Sequence, residues 1–153
     1  MYKNILVPID IDLPSKIVLM TASKFSAIFK SKLIILSCNE KFKSKEEMIM
    51  SRVSPNSIGS DNKEIALEAK NKIKSILTNE NIPDDNIQVI LRDGSPEREI
   101  LKSSIELEAN MIIMGTDGKD SMGDYLYGTI SQKVTEKSSC PVLIIPNEGE
   151  FNG

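Results

Sequence analysis

Short apolar runs alternate along this chain with longer segments in which apolar residues recur at helical spacing. The runs occupy residues 4–9, 33–36, 87–91, 111–114 and 141–146. Continuous apolar runs of this length, rich in isoleucine, leucine and valine, are typical of strands buried on both faces of a parallel sheet. We therefore predict five strands, with one helix in each of the four intervals between them.

Four amphipathic segments with a period near 3.6 residues fill those intervals. The first helix is predicted over about residues 15–30, the second ends near Asn79, the third spans about 96–109, and the fourth begins near Thr129. Pro14 precedes the first helix, and Ser95 and Pro96 suit the cap and the first position of the third. The apolar positions of the four helices are Val18, Ala22, Phe25, Phe29, Ile65, Ala69, Ile73, Ile76, Ile100, Leu101, Ile105, Ile130 and Val134.

The alternation of strands and helices predicts an α/β fold, a doubly wound domain whose five-stranded parallel sheet carries helices on both faces. Residues 1–146 are predicted to form a single domain, and residues 147–153 a flexible C-terminal tail. Residues 40–60 are polar and irregular and predict a loop. A short helix around residues 48–50 and a lid over the sheet are alternatives for that loop.

A glycine pattern follows the fourth apolar run. It consists of Gly115, Gly118 and Gly128 followed by Thr129, with the spacing G-x2-G-x9-G-[ST]. A strand that leads through glycines into a helix N-terminus presents backbone N–H groups and a positive dipole end to phosphates. Asp10 follows the first strand, so it and Gly115 are both predicted at carboxyl strand ends, where doubly wound sheets bind ligands.

Composition and charge exclude several functions. With 19 basic and 22 acidic residues and a net charge of −3, the chain has no strong positive field for nucleic acids or membrane surfaces. Histidine is absent, which excludes Ser-His-Asp triads and His-ligated metal sites. The two cysteines form no C-x-x-C motif, and the first strand begins without a signal-peptide layout, so we expect a cytoplasmic protein.

The glycine pattern and four segments, residues 3–10, 94–96, 109–116 and 139–146, resemble the universal stress protein family in its ATP-holding members. The resemblance covers residues 2–146 and implies a homodimer that pairs through the last strand, residues 141–146. It also implies three groups of cofactor-binding residues. The adenosine would lie against Pro8, Asp10 and Cys38, the ribose and phosphates against Met114, Gly115 and Gly118, and phosphate oxygens against Gly128, Thr129 and Ile130.

Asp117 departs from the family pattern, in which histidine or arginine often lies between the first two glycines. A carboxylate that points inward would repel phosphate by roughly 1 kcal/mol at 4 Å in water and by several times more in a drier site. Asp117 could instead face solvent, or hold Mg²⁺ or Mn²⁺ against the phosphates.

The resemblance implies a regulatory stress-response module that binds ATP, or AMP or ADP, with slow or no hydrolysis, because no residue is evident as a general base. The main alternative is a dimeric interaction module that binds no nucleotide and acts through a regulatory protein partner. An enzyme of related architecture and a flavin carrier rank lower, since neither a Walker motif nor G-x-G-x-x-G is present. Asp10 could equally be a structural turn residue, and Cys38 a small core residue.

Overall fold

The computed structural model describes residues 1–10, 15–39, 60–116 and 129–146. Five strands and four helices alternate in these residues. Their order is β1 (Asn4–Pro8), α1 (Lys16–Phe29), β2 (Lys32–Asn39), α2 (Ser60–Asn79), β3 (Ile87–Asp93), α3 (Pro96–Glu106), β4 (Met111–Gly115), α4 (Thr129–Lys137) and β5 (Val142–Ile145).

The five strands form one parallel sheet in the order β3-β2-β1-β4-β5. The first strand lies at the centre, and it pairs with β2 on one side and with β4 on the other. Successive strands therefore run outward from β1 to one edge, and the chain then crosses back to β4. This arrangement confirms the predicted α/β fold and places the reversal of strand order between β1 and β4.

Each face of the sheet carries its own core layer, because alternate residues of a strand point to opposite faces. One layer packs with α1 and α2, and its buried members are Ile5, Val7, Ile9, Val18, Leu19, Ala22, Leu33, Ile35, Ile73, Leu77, Met111 and Ile113. The opposite layer packs with α3 and α4, and its buried members are Leu6, Ile34, Leu36, Ile100, Ile112, Met114 and Val134. The apolar runs of the sequence are thus divided residue by residue between two cores.

Local signals explain where α1 and α3 begin. Ser15 is the N-cap of α1, and its hydroxyl accepts a hydrogen bond from the backbone N–H of Val18 at 3.3 Å. Pro96 occupies the first turn of α3 as predicted, whereas the Ser95 side chain makes no capping hydrogen bond. The turn before it depends on Gly94, whose φ of +133° lies in a region that favours glycine.

Several element boundaries and one burial assignment differ from the sequence-based prediction. The third helix ends at Glu106 rather than near residue 109. Ile105 is 68% exposed, since it lies five residues, or about 140° around the helix, from the buried Ile100. The second and third strands extend to Asn39 and Asp93, because their backbones continue to pair beyond the apolar runs, through Cys38 and Arg92.

Several predictions fall on residues that the structure does not describe. The predicted loop lies there except for Ser60, which begins α2, and so does the predicted tail of residues 147–153. The division into a domain of residues 1–146 and a tail stays a prediction. Within the described ranges, no helix combines the length and the apolar character needed to cross a bilayer.

Candidate functional site

The candidate site lies at the carboxyl edge of the sheet, between the ends of β1 and β4. These two strands are neighbours, yet the connections that leave them run toward opposite edges of the sheet. The loops after such strands therefore separate and leave a crevice, which is where doubly wound α/β domains bind their ligands. Asp10 follows β1 at this edge, and Gly115 ends β4.

The chain beyond β1 is held firmly against β2. The backbone N–H of Ile9 donates to the carbonyl of Leu36 at 2.9 Å, and the buried hydroxyl of Ser37 donates to the carbonyl of Ile9 at 3.1 Å. These two bonds fix the backbone immediately before Asp10, whose side chain is exposed. The arrangement positions a carboxylate at the mouth of the crevice. Ser37 was missed by the sequence analysis, although a serine directly after an apolar run is a detectable signal.

Gly115 is packed closely against the first helix. A Cβ atom built on this residue would lie 3.3 Å from Cγ2 of Val18 and 3.7 Å from the carbonyl oxygen of Ile145. Its φ lies outside the positive range, so the backbone conformation does not by itself require glycine here. The close approach of α1 to β4 is therefore a structural reason for glycine at this position, independent of any ligand.

Thr116 follows directly and stays tied to the edge strand. Its backbone N–H donates to the carbonyl of Ile145 at 3.2 Å, and the residue is only 6% exposed. Its Oγ1 is buried and has no hydrogen-bond partner among the described residues. Thr116 lies between the first two glycines of the pattern, and the sequence analysis assigned it no role.

The fourth helix brings its N-terminus to the same edge, because it returns from the carboxyl end of β4 to the start of β5. Thr129, its first residue, is exposed, whereas the side chain of Ile130 packs against the core layer beneath α3 and α4. Of these two predicted site residues, Thr129 can offer a hydroxyl and an N–H, and Ile130 only its backbone. A helix N-terminus of this kind favours anions.

The remaining described candidates lie on the face of the sheet that carries α3 and α4. Met114 is buried there, and Cys38 is half-buried against the same core layer, as expected for a small core residue near a strand end. Pro8 is half-buried at the end of β1. Met114 and Cys38 thus flank β1 on one face, at the ends of its two neighbouring strands.

The other predicted site residues, Gly118 and Gly128, lie outside the described residues, and so does Asp117, on which the expectation of Mg²⁺ or Mn²⁺ rests. The described ranges hold no cluster of three or more carboxylates or thiols suited to a metal ion. Lys133 on α4 is half-exposed, and its Nζ lies 3.1 Å from Oε1 of Glu97, so this ion pair joins α4 to α3.

Comparisons with known proteins agree with this architecture. The sequence is 29% identical over 157 residues to the universal stress protein MJ0577 of Methanocaldococcus jannaschii, covering 95% of each chain. The solved structure of MJ0577 matches with a TM-score of 0.71 at 27% identity, covering 97% of this chain and 98% of that one.

Two further solved structures share the fold. A universal stress protein from Archaeoglobus fulgidus in complex with dAMP has a TM-score of 0.60 at 19% identity, covering 94% of this chain and 98% of that one. A universal stress protein in complex with cAMP has a TM-score of 0.60 at 19% identity, covering 95% and 97%. The model of the universal stress protein family matches residues 1–146, which include all five strands and the crevice between β1 and β4. The chain therefore belongs to the universal stress protein family.

Proposed function

We propose that this protein binds an adenine nucleotide, with ATP the first candidate, in the crevice between β1 and β4, and acts as a regulatory stress-response module. The observation that carries the proposal is the convergence of three features at one sheet edge. Asp10 follows β1, the glycine pattern follows β4, and α4 begins with Thr129 at the end of that pattern. Backbone donors and a helix dipole can hold phosphates without a P-loop lysine.

The positions of the residues indicate which part of the nucleotide each would bind. The Asp10 carboxylate accepts hydrogen bonds from the ribose hydroxyls or the base, and half-buried Cys38 and Pro8 provide a small apolar surface for the adenosine. The N-terminus of α4 receives the phosphates. Two proteins of this fold were solved with adenine nucleotides, dAMP and cAMP, which supports adenine rather than another base.

Slow or absent hydrolysis is part of the proposal. Histidine, the commonest general base, is missing from the chain. Hydrolysis without a base that orients the attacking water is inefficient. Slow hydrolysis is consistent with a regulatory module that responds to whether the nucleotide is bound rather than to its turnover.

A homodimer through β5 is a further part of the proposal. This strand forms one edge of the sheet, pairs only with β4 within the described residues, and has four half-buried apolar side chains. An apolar edge strand invites pairing with a second chain, and a two-fold axis brings identical strands together. Light scattering at micromolar concentration is expected to give the mass of a dimer, and a monomer would contradict this part.

The alternative is a dimeric interaction module that binds no nucleotide, and the negative charge of Asp117 in the glycine pattern favours it. The deciding experiment begins with purification without added nucleotide, denaturation, and mass spectrometry of any released small molecule. Calorimetric titration with ATP and with adenosine follows. Bound or titratable ATP supports the nucleotide module, and a protein that ignores both ligands supports the interaction module.

A variant pair sharpens the experiment. Asp10→Ala is expected to weaken binding of ATP and of adenosine by about tenfold or more, the loss typical of a hydrogen bond to a charged group. Asp84→Ala is the matched control. Asp84 is an exposed aspartate in the turn that enters β3, so it lies at the amino ends of the strands, away from the crevice. Equal affinities for the two variants would show that the Asp10 carboxylate does not contact the ligand.

A further inference from the structure

The first helix carries apolar residues on the side that faces away from the sheet. Its inward side is buried through Val18, Leu19 and Ala22. The opposite side, which we call the α1 face, is formed by residues that lie within about 100° of one another around the helix, Met20, Lys24, Ala27 and Ile28. Helix surfaces that meet only water usually carry charged and polar side chains, whereas Lys24 is the only charged residue among these.

Ile28 is 73% exposed, and comparable apolar side chains lie on two other helices. Single exposed apolar residues are ordinary on protein surfaces. Leu67 on α2 has Glu64 and Lys70 three positions away on either side, so charges of both signs border it. Ile105 on α3 likewise lies beside an ion pair between two residues of its own helix. Mixed charges of this kind are typical of a solvated surface.

The surroundings of Ile28 differ, because they carry one sign of charge. Residues 1–9 and 15–39 contain neither aspartate nor glutamate, and their basic residues are Lys3, Lys16, Lys24, Lys30 and Lys32. The rings of Tyr2 and Phe29 are in edge contact with centroids 4.8 Å apart, so Lys3 lies beside the C-terminal end of α1. The two segments that form this corner of the molecule therefore carry only positive charge.

Two of these lysines have carboxylates from other segments near them. Lys16, the first residue of α1, has its Nζ 3.7 Å from Oε1 of Glu80, and Lys32 enters β2 beside the acidic turn of residues 84–85. The lysines that form no salt bridge with any described residue are Lys3, Lys24 and Lys30. A lysine at the C-terminal end of a helix suits the helix dipole, which accounts for Lys30 but not for the lack of carboxylates around it.

We propose that the α1 face, together with Lys3 and Lys30, is a docking surface for an acidic segment of a partner protein. Interfaces between proteins typically have an apolar centre inside a polar rim, which is the arrangement around Ile28. The partner places apolar side chains on Ile28 and Ala27 and carboxylates against the lysines, since electrostatic complementarity excludes a basic partner. The net charge of −3 disfavours an anionic lipid surface as the occupant.

The docking surface is separate from the crevice. The α1 face ends where the chain turns into the start of β2, at the amino ends of the strands, whereas the crevice lies at their carboxyl ends. The inference therefore goes beyond the proposed nucleotide binding and can be tested on the full chain without nucleotide.

Two synthetic helical peptides serve as probes. One carries leucines along one side with glutamates beside them, and the other has lysines in place of the glutamates. Fluorescence anisotropy of the labelled peptides measures their affinity for the protein. We expect the glutamate peptide to bind about tenfold more tightly than the lysine peptide or better. Its binding is expected to weaken between about 0.1 M and 1 M salt, because salt screens charges at a solvent-exposed rim.

Three variants identify the surface that binds the glutamate peptide. Ile28→Asp is expected to weaken binding by about tenfold or more, because it removes the apolar centre. Lys24→Glu is expected to weaken it by about threefold to tenfold, since it reverses one charge of the rim. Leu67→Asp is the matched control and should leave the affinity within about twofold. All three positions are exposed, so the melting temperatures should stay close to that of the wild type.

Several results would overturn the inference. These are a glutamate peptide that does not bind, equal affinities for the two peptides, and equal losses for Ile28→Asp and Leu67→Asp. Binding of the wild type to phosphatidylserine vesicles that is lost in Ile28→Asp would assign the face to a membrane surface instead. A lower mass of Ile28→Asp in light scattering would assign it to a second copy of this chain. Titration with ATP is independent of each result, so failure here leaves the proposed function intact.

Discussion

Replacing Gly115 with alanine tests whether this glycine serves the packing of α1 against β4. The added Cβ would lie 3.3 Å from Cγ2 of Val18, whereas carbon atoms pack best at about 3.5–4.0 Å. Val18 is buried and cannot readily move aside, because a β-branched side chain in a helix has one strongly preferred rotamer. The helix or the strand must therefore shift by a few tenths of an ångström.

The expected loss of stability is moderate. Overpacking of a tight core costs about 1–3 kcal/mol. Replacement of glycine by alanine also restricts the unfolded chain, which returns about 0.4–1 kcal/mol where the backbone conformation permits alanine. We expect Gly115→Ala to lower the free energy of unfolding by about 1–2 kcal/mol, which lowers the melting temperature by roughly 2–8 °C for a chain of this size.

A double-mutant cycle with Val18→Ala identifies the cause. Removing two buried methyl groups costs about 2 kcal/mol by itself. In the double variant the smaller side chain leaves room for the new Cβ, so its total loss should be less than the sum of the single losses by about 1 kcal/mol or more. Urea unfolding of the four proteins measures both quantities.

Two outcomes would refute the reasoning: a Gly115→Ala variant as stable as the wild type, or single losses that add within about 0.5 kcal/mol. The packing also affects the choice of binding experiments. A bulky residue at position 115 would displace α1, so loss of nucleotide binding in such a variant would not separate a lost ligand contact from a damaged fold. Asp10, which is exposed, is a better position for that purpose.

Two further predictions concern the third helix. Gly94→Ala is expected to destabilise the protein by about 1–3 kcal/mol, because the φ of +133° at this position is strained for alanine. Ser95→Ala should change stability little, since the Ser95 side chain makes no capping hydrogen bond. Equal melting temperatures of the two variants would contradict this prediction. Lys133→Gln is expected to cost less than about 1 kcal/mol in urea unfolding, because the ion pair with Glu97 is partly exposed, and a larger loss would mean that the pair is essential to the packing of α3 on α4.

Much of the fold could be predicted from the sequence because its signals are local. Strands buried on both faces need continuous apolar runs, and helices beside them need a 3.6-residue period, so the nine elements of the described residues were all detectable. Gly94 and Pro96 also predicted the turn before the third helix, because glycine permits a positive φ and proline suits the first turn of a helix. The predicted ends of β2 and β3 were less accurate. Backbone pairing extends these strands through Cys38 and Arg92, beyond the apolar residues that mark a strand in the sequence.

The candidate site was predicted by a spacing of glycines, but the packing of Gly115 against the first helix was not. The sequence places Gly115 in a ligand loop, and the structure adds that Val18, 97 positions earlier in the chain, occupies the space beside it. Ile105 matched an apolar pattern and is exposed, because a helix buries only the face that its neighbours cover.

The sequence by itself determined which segments form strands and helices and which loop carries the glycine pattern. Only the tertiary structure decided that β1 lies between β2 and β4, which puts Asp10 and Gly115 at the ends of adjacent strands, and that Thr116 is buried. The physical reason is that the period of apolar residues depends on the local conformation of the chain, helix or strand. Strand order and burial depend on contacts between segments far apart in the chain.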